Sequence, residues 1–207
     1  DRVAMDHRLT EAGVGPREAL VGLNPGSTYG SAKRWLPDRF AETALRMVRW
    51  WHDHEGAAAR VVILGAAGEE SLGGEIARRI GPGTLVWSGR TSIRELMAVT
   101  QRCRLYVTND TGPMHVAAAF GVPVVAVFGP TDWRTTAPFG TGHAVVRHPV
   151  DCAPCLLREC PIDHRCMTGV TVDQVVEAAQ QLLTPASQPA APSPVSSPQH
   201  VSLEGVT

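Results

Sequence analysis

The segment Thr108-Asn109-Asp110-Thr111-Gly112-Pro113-Met114-His115 joins an apolar run, Arg104 to Val107, to the small-residue run Val116 to Ala119. A chain that carries it must leave a buried strand and enter a helix within a few residues. Short hydroxyl and amide side chains suit the cap of such a helix, and Pro113 suits a first-turn position whose N–H would lack a partner anyway. Gly112 lets a ligand come close to the backbone. The first-turn amides and the positive end of the helix dipole then point at one spot, where an anion such as a diphosphate can sit. The alternative is a plain helix cap, with Asp110 or Thr111 satisfying those amides and no ligand at all.

The rest of the chain repeats the strand-then-helix pattern. Leu20 to Leu23, Val61 to Leu64, Thr84 to Trp87, Arg104 to Val107, Pro123 to Phe128 and Ala144 to Val146 read as strands. Helical periodicity falls on Pro37 to His54, Glu69 to Ile80, Ser92 to Thr100, 112 to 120 and Val172 to Leu183, the last capped by Thr171. Alternation of this kind builds an α/β fold, a Rossmann-like parallel sheet with helices on both faces. Residues 1–18 read as a charged, helix-like connector with few anchors, residues 19–184 as the folded domain, and residues 185–207, rich in Pro, Ser and Ala, as a disordered tail.

Composition narrows the functional classes. A formal net charge of -1 over 207 residues argues against a nucleic-acid-binding face. No apolar run approaches the roughly 20 residues that span a bilayer. Nothing at the start resembles an export signal, so a cytoplasmic setting with reduced thiols is the expectation.

Ligands of open parallel sheets bind beyond the carboxyl ends of the strands, where three turns fall here: 24–35, 65–70 and 108–115. The first, Asn24-Pro25-Gly26-Ser27-Thr28-Tyr29-Gly30-Ser31-Ala32-Lys33-Arg34-Trp35, combines glycines, hydroxyl donors and two cations. Ser27 and Thr28 can hydrogen-bond a diphosphate, and Lys33 can balance the charge of a leaving phosphate. A surface loop with solvated Lys33 and Arg34 and a core-stapled Trp35 is the alternative. Glu69 and Glu70 suit a helix start, and at a strand end one of them can also accept hydrogen bonds from a ribose diol. His115 reads as a partly buried, hydrogen-bonded residue rather than a catalyst, and Cys103 as a small core residue.

Four of the five cysteines, Cys152, Cys155, Cys160 and Cys166, crowd one loop that also holds His164. A Cys-x2-Cys start with two further thiols can wrap a structural zinc, or less readily an iron–sulfur cluster. The second pair is wider than the usual zinc knuckle. A zinc, an inducible disulfide and four free thiols are the alternatives.

With these residues in view, the chain resembles the C-terminal half of the bacterial lipopolysaccharide heptosyltransferases of glycosyltransferase family 9, most closely the heptosyltransferase II-like branch. The resemblance rests on Asn24-Pro25-Gly26-Ser27 with Ala32-Lys33-Arg34-Trp35, on Thr108 to Ala118, on Val127-Phe128-Gly129-Pro130-Thr131, and on Cys155 to Met167. It implies the C-terminal donor-binding domain of a GT-B glycosyltransferase, with an N-terminal domain expected before Asp1. It implies an ADP-heptose donor, and as acceptor the phosphorylated inner-core sugar on lipid A at the cytoplasmic face of the inner membrane. Ser27, Thr28 and Lys33 would contact the diphosphate, Asp110, Thr111 and Gly112 would hold the phosphates and donor sugar, Glu69 or Glu70 the ribose, and Thr91 with Ser92 the adenine. Lys33 and Asp110 would serve catalysis, while the general base belongs to the family's N-terminal domain. Another GT-B sugar transferase, a nucleotide-sugar epimerase and a non-catalytic nucleotide-binding module are the competing readings.

Overall fold

The computed structural model describes residues 1–184, and the expected tail at 185–207 lies outside them. Six strands form one sheet: β1 (Ala19–Asn24), β2 (Ala59–Ile63), β3 (Leu85–Val86), β4 (Leu105–Asn109), β5 (Val124–Phe128) and β6 (His143–Arg147). Every pairing is parallel, and the order is β3-β2-β1-β4-β5-β6. This is the strand order of a doubly wound Rossmann-like sheet, in which the direction of winding reverses between β1 and β4. At that reversal Val21 lies beside Leu105 and Asn24 beside Thr108.

Helices cover both faces, as the alternation predicts. Because successive side chains point to opposite faces, Val21, Leu23, Val61, Ile63, Val107, Val125 and Val127 bury on one side. There they meet α2 (Pro37–Glu55) and α8 (Val172–Leu183), with α3 (Glu70–Ile80) beside them. Leu20, Val62, Leu64, Tyr106, Val124, Ala126 and Phe128 bury on the other side. They pack against α1 (Arg2–Glu11), α4 (Ile93–Arg102) and α5 (Gly112–Ala119). Full burial on both faces explains why the strands read as unbroken apolar runs.

Three local expectations change. The first residues are no loose connector: α1 buries Met5 and Leu9, and Val14 follows them into the core. Each such side chain contributes about 1.5–3 kcal/mol of burial, and Arg8 adds an ion pair to Glu95 at 3.0 Å. Two short helices escape the periodicity, α6 (Trp133–Thr136) and α7 (Arg165–Thr168), each too brief to show an amphipathic repeat. His115 is exposed, not partly buried. Cys103 is a core thiol as expected, and burial pushes its pKa up to about 12.

Candidate functional site at the strand reversal

The three predicted turns meet at the carboxyl ends of β1, β2 and β4. Asn24, Gly26, Ser27, Thr28, Ala66, Glu69, Thr111 and Gly112 line one cavity there, completed by Pro113. Asn109, the last residue of β4, stitches two turns together. Its Nδ2 donates to the Pro25 carbonyl at 2.7 Å, and its Oδ1 accepts from the Trp35 amide at 3.0 Å. Trp35 is buried and donates its own Nε1–H to the Val170 carbonyl. The 24–35 turn is thus pinned at both ends, and its first residues, Asn24 and Gly26 to Thr28, line the crevice.

Lys33 sits in a 3₁₀ turn, Ser31–Lys33, and reaches across to the helix entrance. Its Nζ donates to the Asp110 carboxylate at 2.7 Å and to the Asp110 carbonyl at 3.3 Å. That carbonyl belongs to the residue just before the α5 N-cap, so Lys33 is tied to the start of the helix entrance, although it is not among the residues that line the cavity. Asp110 is itself buried and accepts a second hydrogen bond, from Thr131 Oγ1 at 2.7 Å. With both donors on its carboxylate, Asp110 holds Lys33 rather than facing an anion, to which its charge would be repulsive.

The helix entrance departs from the expected cap. Thr111 occupies the N-cap of α5 but makes no side-chain cap hydrogen bond. Its hydroxyl accepts instead from Asn24 Nδ2 at 3.2 Å. The entrance is therefore open, and a Cβ placed at Gly112 would meet nothing within 4 Å. Several buried polar atoms of this region also have no partner: Asn24 Oδ1, Ser27 Oγ and Glu69 Oε1 in the cavity lining, and Ser88 Oγ behind it. Buried polar groups are rarely left so, and an unmade hydrogen bond costs about 1–3 kcal/mol.

Of the two candidate carboxylates, the cavity takes Glu69. Its Oε2 accepts from the Ala66 amide at 2.8 Å, Arg34 lies 3.8 Å from Oε1, and a Cβ on Gly26 would overlap the carboxylate. Only glycine at 26 lets the two turns close on each other. Glu70 turns away, accepting from its own amide and that of Gly68, which hold its carboxyl below the usual range. Thr91 precedes the N-cap Ser92 of α4 and is not among the residues that line the cavity. Residues that matter and were read only as parts of longer motifs are Asn24, Asn109 and Thr131.

The cysteine loop lies over the Lys33 turn. Tyr29 donates its hydroxyl to the Leu156 carbonyl at 2.6 Å, the Ala32 amide donates to the Arg158 carbonyl at 2.9 Å, and His164 Nε2 lies 2.7 Å from the Ala32 carbonyl. A Cβ on Gly30 would overlap the Arg158 carbonyl. The Tyr29 ring is flanked by Lys33 Nζ at 4.9 Å and the Arg158 guanidinium at 5.3 Å. All five cysteines are free thiols. Burial, and then the neighbouring thiols Cys160, Cys152 and Cys155, push the Cys166 pKa up. Among the described residues no three His, Cys, Asp or Glu side chains gather as a metal-ligand set, so neither the zinc nor the disulfide alternative finds support in this geometry.

The family model for glycosyltransferase family 9 (heptosyltransferase) matches residues 4–165. Lipooligosaccharide heptosyltransferase 2 of Campylobacter jejuni subsp. jejuni serotype O:6 is 34% identical over 172 residues, which are 80% of this chain and 52% of that protein. Lipopolysaccharide heptosyltransferase 2 of Salmonella typhimurium is 34% identical over 132 residues, 62% of this chain and 36% of the relative. Among solved structures, the ADP-heptose lipopolysaccharide heptosyltransferase II of E. coli superposes with a TM-score of 0.72 at 25% identity, covering 88% of this chain and 52% of that one. The chain thus spans about half the length of the first of these relatives.

Proposed function

The chain belongs to glycosyltransferase family 9, and on that premise we propose that it is the donor-binding half of a heptosyltransferase that moves heptose from ADP-heptose to the inner core of lipopolysaccharide. The observation that carries the reading is the set of unpartnered buried polar atoms at Asn24, Ser27 and Glu69, grouped with an uncapped helix entrance and a lysine. A nucleoside diphosphate supplies what Ser27 and Glu69 lack. The diphosphate accepts from the Gly112-side amides, Ser27 and Thr28, the ribose diol donates to Glu69, and the adenine extends toward Thr91.

The reaction is a single inverting displacement. The acceptor hydroxyl forms a bond to the anomeric carbon, the bond from that carbon to the diphosphate breaks, and ADP leaves. The hydroxyl proton goes to a base that this half does not supply. Negative charge grows on the diphosphate as the bond breaks, and Lys33 with the helix entrance stabilises it more in the transition state than in the bound donor. Asp110 and Thr131 fix where Lys33 stands. The acceptor is the phosphorylated sugar on lipid A, reached at the cytoplasmic face of the inner membrane. Among the described residues no helix is long and apolar enough to cross it, and nucleic acid plays no part.

Calorimetric titration with ADP and ADP-heptose tests the reading. Lys33→Ala should weaken ADP by about 2 kcal/mol, roughly thirtyfold, as expected for loss of one charged hydrogen-bonding group. Unchanged affinity in the variant removes Lys33 from the site. Tighter binding of UDP than of ADP would point to a different sugar transferase or to an epimerase.

A further inference from the structure

A second cavity, of about 180 Å³, opens at the carboxyl ends of β5 and β6. Its lining includes Thr131, Trp133, Arg134, Arg147 and His148, with Asp132 as the one carboxylate. Two guanidinium groups approach the Trp133 indole, Arg134 at 5.2 Å and Arg147 at 5.4 Å from the ring. The Trp133 Nε1–H is buried and has no acceptor. Arg134 has a loose ion pair to Asp132 at 3.5 Å, and Arg147 has none among the described residues. Asp132 is otherwise engaged, accepting from the Arg134 amide at 3.0 Å. The cavity thus presents more positive charge than its own carboxylate answers, plus a donor without a partner. A neutral acceptor can satisfy only the indole N–H, whereas an oxyanion meets both needs.

We propose that this cavity is a subsite for an oxyanion, a phosphate or a carboxylate carried on a sugar, distinct from the nucleotide's diphosphate. Its position suggests whose substituent it is. Thr131 lines this cavity and donates to the Asp110 carboxylate that holds Lys33, so a chain of hydrogen bonds links it to the residue just before the α5 entrance. A group bound here would place its sugar beside the point where the donor bond breaks. Assigning the group to the acceptor rests on the donor reading above, while the anion site stands on its own geometry.

The test follows the Trp133 indole N–H signal in nitrogen-edited spectra of the whole chain saturated with ADP, so that the diphosphate site is already filled. Titration with inorganic phosphate, and separately with acetate, should move that signal saturably, and the tighter of the two identifies the substituent. Arg147→Gln and Arg134→Gln should each weaken the response about tenfold or more. Either substitution lies on an exposed side chain and leaves the core intact. A Trp133 signal unmoved by both anions, or moved equally in wild type and variants, overturns the proposal. If ADP fails to bind while phosphate still moves Trp133, the donor reading falls and the oxyanion subsite survives.

Discussion

Two helices of this molecule begin with threonine at the N-cap in extended backbone, and only one of them is sealed. At α8, Thr171 Oγ1 accepts from the Gln174 amide at 3.3 Å, and the Thr171 amide donates in turn to Gln174 Oε1 at 2.9 Å. At α5, Thr111 caps nothing. The residue at the third helical position explains part of the difference: Gln174 can complete the reciprocal box, whereas Met114 cannot and is buried in the core. Pro113 removes one amide altogether, and Asn24 draws the Thr111 hydroxyl toward the 24–35 turn. A sealed entrance uses its amides for stability, and an open one keeps them for something else.

Among tests of the two entrances, the largest effect should come from blocking the open one. Gly112→Val places a side chain in the empty space before the α5 amides, so ADP affinity should fall about tenfold or more while the melting temperature holds. Calorimetry and a thermal melt on one sample decide it, since retained affinity would mean the phosphates sit elsewhere. The next effect belongs to the sealed entrance: Thr171→Ala should cost about 1 kcal/mol in denaturant unfolding. A loss indistinguishable from zero would erase the contrast between the two helices.

The smallest effect sharpens the comparison through pH. At α4 the reciprocal box joins Ser92 to Glu95, and the Ser92 amide, then its hydroxyl, hold the Glu95 carboxyl below its usual range. A lowered folded pKa stabilises the fold above the unfolded value of 4.5, and that contribution is lost as pH falls through the folded value. Glu95→Gln keeps the hydrogen-bonding shape without the titration. Its unfolding free energy should therefore fall less steeply below pH 4.5 than that of wild type, and equal slopes would show that the box carries no acid sensitivity.

How much of this was legible in the sequence depends on how local each cause is. Strands buried on both faces, such as β1, β4 and β5, announce themselves as apolar runs, all six strands appeared within a residue or two, and the cap at Thr171 followed from its own neighbours. The convergence of the 24–35 and 108–115 turns was legible because both follow strands of one parallel sheet. The open state of α5 was not, since the competitor for Thr111 comes from Asn24, far away in the chain. Likewise the choice between Glu69 and Glu70 turns on whether Gly26 closes over a carboxylate, and the anchoring of α1 on a core that distant strands build. Asp110 read as a phosphate ligand until its two donors, Lys33 and Thr131, were in place around it.

The reversal between β1 and β4 also has a kinetic meaning. Lys33 travels with β1 and Asp110 with β4, and the two strands become neighbours only after β2, β3 and their helices have been threaded between them in sequence. Closing so long a stretch of chain must precede any return from the pairing, which makes it a slow event. A partly folded chain with β1 to β3 assembled would carry the lysine without its counter-ion and the glycine-rich turn without its partner helix. On the proposed reading, competence to hold a nucleotide therefore reports that the sheet has closed across its middle.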